Sequence, residues 1–288
     1  MIIVKPAFDV TTPYRYLLYR YLIAGVIALP LLFYYWPKVK HVWKNLGVII
    51  GLELLGTTVA LSLLYLGLAR TTAIEASLLV TSAPLFTTLV AVWLLKEKQL
   101  KNEWLGLVIA LAGTVLLTLW PLFNSSASVA SFSVSGNLLI IGNSITAALY
   151  FVWAKKYYRQ LPKLFVTTIS FFVGLVTFGL LSFFEQQFSI ARLSQAIFTD
   201  LHSTPVLIAA GYMAIFGSII GLTAYIKGQD GIEASEASLF TYLQPLIYLP
   251  LGVLLLHEAL SPFQIVSLAL ILGGVAIAEK RFKPFKKK

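Results

Sequence analysis

The sequence predicts an all-α, polytopic membrane helix bundle of nine spans built as inverted repeats, and three observations lead there. Of the 288 residues, 58% are hydrophobic and 12% charged, with a mean hydropathy of +0.84, whereas a soluble domain is about half apolar and a quarter charged. At roughly 20 residues per span, nine spans use about 180 residues and leave short loops. The third observation is an internal duplication whose copies enter the bilayer from opposite sides. Aromatic residues at 14% and the lack of a long polar tract exclude a disordered chain.

Apolar runs place the helices over 14–35, 46–68, 72–95, 104–121, 136–154, 164–184, 205–226, 233–256 and 263–279. Trp36-Pro37-Lys38 closes the first, and Asn124-Ser125-Ser126 separates the fourth from the fifth. Gln160-Leu161-Pro162 opens the sixth, and Ser261-Pro262 opens the ninth. The longest connection, 185–204, leaves no room for a soluble domain.

The formal charge is +10, but its distribution points to lipid and not to nucleic acid. Basic residues cluster between spans and in the tail over 281–288. With that tail in the cytoplasm, Lys38, Lys40, Lys44, Lys96, Lys98, Lys101, Lys155, Lys156, Arg159, Lys163 and Lys227 share its side. Lys5, Arg70 and Arg192 face the other way, with Arg15 and Arg20 opening the first span. The bias predicts an inner- or plasma-membrane protein with a cytoplasmic C-terminus. No cleavable signal is expected, because Lys5 and Asp9 interrupt the short apolar start.

Glu75-Ala76-Ser77-Leu78 recurs as Glu236-Ala237-Ser238-Leu239, 161 residues later. The same offset pairs Pro84 with Pro245, Glu97 with Glu258, and Gly113 with Gly274, and 13 of the 43 positions from 75 to 117 match without a gap. Upstream, Gly56-Thr57 pairs with Gly217-Ser218. The span holding Glu75 starts on one side and the span holding Glu236 on the other, so a pseudo-two-fold axis in the membrane plane relates the copies. The repeats are expected over 1–122, with four spans, and 133–280, with five, followed by the basic tail. Aligning Gly25 with Gly174 puts the counterpart of the 136–154 span before residue 1 and matches Lys5 with Lys155. The first helix of the first repeat is therefore expected to be missing.

These motifs resemble the EamA-type branch of the drug/metabolite transporter superfamily. The likeness rests on Tyr65-x-Gly67-Leu68-x-x-Thr71, Ala76-Ser77-Leu78-Leu79, Pro84, Glu97, Gly106 and Gly113. It is repeated in Ala237-Ser238-Leu239, Pro245, Glu258 and Gly274. The resemblance implies a ten-helix, five-plus-five inverted-repeat carrier that exports or exchanges small metabolites. One helix fewer, and Glu75 and Glu236 in place of small or polar residues, are departures from that pattern.

Several residues could carry transport. Pro84 and Pro245 each free a carbonyl four residues back, at Val80 and Thr241, which must line a wet cavity or be satisfied within protein. Glu53 lies about 10 Å into its span at 1.5 Å per residue. It is a candidate proton relay or cation anchor, set against a structural hydrogen bond to Thr57. Its repeat-mate is Ala214, so such a role would be asymmetric. Tyr65, Trp93, Asn143, Tyr150, Trp153, Tyr212, Tyr225, Tyr242 and Gln244 are candidates for a central cavity. An interfacial belt is the alternative for the tyrosines and tryptophans.

Thr72-x-x-Glu75 reads as a capping box. Glu236 lies one turn deeper than a cap would, so it is retained as a path-lining candidate. Glu97 and Glu258 are expected to fix the connection to the following span. Gly51, Gly56, Gly106 and Gly113 are expected to permit close helix packing.

The chain has no cysteine, no phosphate-binding loop of the form G-x-x-x-x-G-K-[ST], and no ligand spacing among His41, His202 and His257. ATP-driven pumping, a metal site and a cofactor are therefore not expected. The sequence favours a secondary transporter of small organic metabolites, such as amino acids or aromatic compounds, working by alternating access and open to coupling by a proton. A lipid-modifying membrane enzyme would need clustered acids or histidines at an interface, and a structural bundle would not need inverted duplication.

Overall fold

The computed structural model describes residues 1–38, 42–95, 101–120, 134–158, 161–221, 244–258 and 260–279. Among these, every regular element is a helix. A short 3-10 turn, Lys5–Asp9, leads into α1, Pro13–Tyr35. Thr12 caps α1 by accepting from the Arg15 N–H, and Pro13 sits in the first turn, where its missing N–H costs nothing. The next span is α2 (Val42–Glu53), a π turn (Leu54–Val59) and α3 (Ala60–Arg70) in continuous succession.

The span predicted over 72–95 is broken into α4 (Ala73–Val80) and α5 (Ala83–Leu95). Pro84 explains the break: it cannot donate to the Val80 carbonyl, so the chain turns at Thr81 and Ser82. Their hydroxyls fold back to donate to the carbonyls of Leu78 and Leu79, at 2.5 and 2.6 Å. Then come α6 (Lys101–Leu119), α7 (Val134–Tyr157) and α8 (Lys163–Glu185).

The connection expected over 185–204 is itself mostly helix. α9, Ile190–Leu201, is amphipathic and meets the following helix at 88°, as a helix lying along a membrane interface would. Asp200 pins it down, because its Oδ2 accepts from Thr11 at 2.5 Å and from Arg15 and Tyr19 at 2.7 Å each. Then α10 (Thr204–Tyr212) runs into a second π turn, Met213–Ile220. Finally α11 covers Gln244–Leu256 and α12 Pro262–Glu279.

Five helical stretches among the described residues are long and apolar enough to cross a membrane. The bent pair around residue 202 makes a sixth if it is one span, and three apolar helices are shorter. The molecule is thus an all-α membrane bundle.

Helices that are repeat-mates pack on each other, α6 on α12 and α1 on α8. At the first crossing no side chain separates the backbones: a Cβ on Gly106 would overlap the backbone at Gly274 and Ala278. One on Gly113 would stand 2.9 Å from the Ser267 carbonyl. With the 161-residue offset, Ser267 is the mate of Gly106 and Gly274 the mate of Gly113. Residue i thus meets the mate of j while j meets the mate of i, the exchange that a two-fold axis produces. Partner numbers fall as residue numbers rise, so the two helices run antiparallel.

Gly56 and Gly67 also mark close approaches, to the Tyr150 ring and to Gly136. Gly51 does not, since nothing lies within 4 Å of its Cβ position. Its place on an exposed stretch of α2 corrects the packing expectation for that glycine.

Candidate functional site

The two π turns occupy equivalent places in the two copies. Moving Leu54–Val59 by 161 residues gives 215–220, inside the observed Met213–Ile220. A π turn inserts a residue into the helical ladder and often accompanies a functional site. Here it presents a small hydroxyl residue to the opposite repeat. Thr57 Oγ1 lies 2.9 Å from Ser170 Oγ on α8. Its mate Ser218 accepts a 2.9 Å hydrogen bond from Arg20 Nε on α1. A further cross-repeat contact joins the Thr58 and Thr177 hydroxyls at 2.8 Å.

Glu53 ends α2 just before the first π turn and is only 1% exposed. Its Oε1 accepts from the Tyr150 hydroxyl at 2.9 Å and the Tyr158 hydroxyl at 3.0 Å, and its Oε2 accepts from Thr57 at 2.9 Å. The single Thr57 proton goes to Glu53, so Thr57 accepts from Ser170. The result is a continuous path Ser170, Thr57, Glu53, with two tyrosines closing the other face. Three hydroxyl donors suit a buried carboxylate, and no cation pairs with it among the described residues. Gly56 makes the arrangement possible, because any Cβ there would overlap the Tyr150 ring.

On the other side of the π turns lies Arg20, half-buried in α1. Besides Ser218, it donates through NH1 to the Tyr65 hydroxyl at 2.9 Å, and its Cζ lies 5.7 Å from the Tyr21 ring centroid. Phe8, Tyr16 and Tyr65 pack mutually edge-on or tilted beside it. Ser218 also lines a cavity of about 50 Å³, together with Ile27, Ala28, Leu31, Leu164 and Phe171 and the hydroxyl residues Thr167 and Thr168.

A second polar cluster joins the start of α4 to α7 and to the connection between α11 and α12. The Thr71 hydroxyl oxygen lies 2.6 Å from Glu75 Oε2 and 2.9 Å from the Asn137 side-chain amide. Thr72 caps α4 by accepting from the Glu75 N–H at 3.0 Å. Only half of the expected capping box forms, because the Glu75 carboxylate turns to Thr71. Glu258 supplies the rest from across the bundle. Its two oxygens accept from the N–H groups of Ala73 and Ile74 at 2.7 and 2.8 Å, placing a negative charge on the positive end of α4. Glu258 therefore closes a helix start in the other repeat, where the sequence suggested a role in its own connection.

Nearby, Lys5 donates to the carbonyls of Leu68 and Thr71 at 2.7 and 2.6 Å, capping the end of α3. Burial pulls its amine below the usual value, opposed by Glu258 and Asp9.

Of the sequence candidates, Glu53 and Tyr150 share one network, and Tyr65 belongs to the Arg20 cluster. Asn143 is buried on α7, and Gln244 is half-buried at the start of α11. Trp153 is 36% exposed, Tyr212 43% and Trp93 73%, and no hydrogen bond of the Glu53 or Arg20 network includes them. Pro84 sets the α4 break, and Pro245 is the second residue of α11. Tyr225, Glu236, Tyr242 and Glu97 lie outside the described residues.

Sequence reasoning named the Glu53–Thr57 bond, which forms, but it missed Arg20, which was read as an orientation charge, and Tyr158 and Ser170 as members of the Glu53 network. Seven residues into its span, Arg20 lies too deep for a terminal cation, and that depth was the available signal.

The profile of the EamA-like transporter family matches residues 1–119 and 134–279. The chain belongs to the EamA-like transporter family. Among its relatives in Bacillus subtilis, the uncharacterized transporter YyaM is 26% identical over 260 residues, covering 89% of this chain and 81% of that one. The uncharacterized transporter YcxC is 24% identical over 94% of this chain and 85% of its own. The uncharacterized inner membrane transporter YedA of Escherichia coli K12 is 29% identical over 70% of this chain and 60% of its own. A crystal structure at 20% identity superposes with a TM-score of 0.53 over 96% of this chain and 90% of the solved one, a likeness of fold. Membership of the EamA-like family makes this chain a multi-pass membrane transporter.

Proposed function

We propose that this EamA-like protein is a secondary transporter that exports or exchanges small organic metabolites, such as amino acids or aromatic compounds, across an inner or plasma membrane. Two repeats, over 1–122 and 133–280, rock against each other so that one central site opens to either face. The C-terminal tail over 281–288 lies in the cytoplasm, following the lysine and arginine bias. The observation that carries this reading is the pair of equivalent π turns whose hydroxyls bond the opposite repeat. Contacts of that kind are the ones an inverted-repeat carrier breaks on one face and remakes on the other.

Glu53, with Tyr150 and the Thr57–Ser170 path, holds the coupling proton in this scheme. Tyr65, Asn143, Trp153, Tyr225, Glu236 and Gln244 line the path, and Pro84 and Pro245 shape it. Proteoliposomes carrying the purified protein, given a metabolite panel with and without an imposed pH gradient, test the scheme. The wild type is expected to move at least one compound faster with the gradient. Glu53→Gln is expected to exchange that compound with no response to the gradient. Absence of transport across the panel would overturn the carrier reading, and a gradient response retained by Glu53→Gln would overturn the role of Glu53.

A further inference from the structure

Arg20 has more donors than the described residues around it accept. A guanidinium presents five N–H donors, and the described residues accept two of them, through Ser218 and Tyr65. Both acceptors are neutral hydroxyls. Among the described residues no carboxylate pairs with Arg20; the ion pair found joins Arg15 to Asp200. An arginine within a membrane span is costly to insert and as a rule is paired or faces a water-filled path. Among the described residues Arg20 is fixed in place without being neutralised.

The surroundings narrow the ligand further. Tyr16 is fully buried, its ring lies 5.2 Å from that of Tyr65, the hydroxyl Arg20 holds, and among the described residues its own hydroxyl meets no acceptor in full hydrogen-bond geometry. Ser218, the other acceptor, opens onto the cavity walled by Ile27, Ala28, Leu31 and Phe171. The guanidinium thus borders a mostly apolar slot through Ser218, and Tyr16 lies one helical turn from Arg20 on the far side of it from the slot. At about 50 Å³ the slot holds a few waters, so the body of a metabolite enters only as the repeats part.

We propose that Arg20 is the anion-binding residue of the transport site and selects substrates that carry a carboxylate on an apolar or aromatic body. The carboxylate accepts two parallel hydrogen bonds from the free edge of the guanidinium, with the Tyr16 hydroxyl as a third donor. The proposal rests on the transporter reading and deepens it by naming the substrate class.

The purified full-length protein tests it by thermal stabilisation with matched probes: 3-phenylpropionate, 3-phenylpropan-1-ol, 3-phenylpropan-1-amine and hexanoate. The carboxylates are expected to stabilise the wild type, with the alcohol and the amine binding about 10- to 100-fold more weakly, the range of a charge-assisted hydrogen bond. Arg20→Gln should erase the preference, and Arg20→Lys should keep it at reduced affinity. No carboxylate preference in the wild type, including no binding by any probe, overturns the proposal, as does full preference in Arg20→Gln. Should the Gln variant not fold, the wild-type series and Arg20→Lys decide. Counterflow of the same probes in proteoliposomes separates the two readings. Exchange of the alcohol or amine without carboxylate preference overturns the role of Arg20 and leaves the carrier standing. Arg20-dependent carboxylate binding without exchange of any probe overturns the place of Arg20 in the transport site and leaves it an anion site off the path.

Discussion

At the residue scale, the centre of this protein is a carboxylate kept in place by hydroxyls. Each donor to a buried ionised group contributes about 1.5–3 kcal/mol, so Tyr158→Phe, which deletes one donor to Glu53 and little else, should lower stability by about that amount. A melting series in detergent checks it. Gly56→Ala should act through the same network: its methyl displaces the Tyr150 ring and with it the hydroxyl that reaches Glu53. The expected result is a loss of stability of about 1–3 kcal/mol, as for overpacking.

The burial of Glu53 was legible in the sequence because an acid seven residues inside an apolar run must be satisfied within the bundle, and its bond to Thr57, one turn on, was legible with it. Its other partners were not. Tyr150, Tyr158 and Ser170 come from helices about a hundred residues away, and no local period reports which faces will meet. Arg20 was hidden by its neighbourhood, since counting cations for orientation absorbs any arginine near a span end.

At the element scale, the structure adds interruptions that hydropathy cannot see. An apolar run reads the same whether its backbone is α throughout or carries a π turn, so both π turns were silent until the coordinates aligned them. The α4–α5 break was legible, because Pro84 removes a donor wherever it falls in a helix. The start of α4 depends on Glu258, which takes two N–H groups otherwise left without partners. Glu258→Ala should therefore destabilise the protein by about 0.5–2 kcal/mol, as a lost cap does, with Glu258→Gln falling between. Thermal melting at neutral pH is the measurement. Gly274→Leu should do more harm, since the α6 backbone at Gly106 and Ala110 occupies the space; loss of folded protein on size exclusion is the expected outcome.

At the scale of the whole molecule, the all-α membrane bundle was readable because it rests on composition over long apolar stretches, and the 161-residue duplication because it rests on residue identity. The amphipathic α9 escaped, being too polar for a span and without a repeat-mate to announce it. Its anchor is Asp200, so Asp200→Asn should loosen the helix and expose the chain at Arg192 to trypsin. Faster cleavage there, compared with wild type, is the expected result.

The account depends above all on the two halves lying upside down relative to one another. The chain contains no cysteine, so a single introduced thiol reports one position without background. Lys101 and Pro262 are repeat-mates that open α6 and α12, and both are exposed. Lys101→Cys and Pro262→Cys, each probed with a membrane-impermeant thiol reagent on intact and permeabilised cells, give the decisive comparison. The account predicts that Pro262→Cys reacts in intact cells and Lys101→Cys only after permeabilisation. Labelling of both from the same face would contradict it.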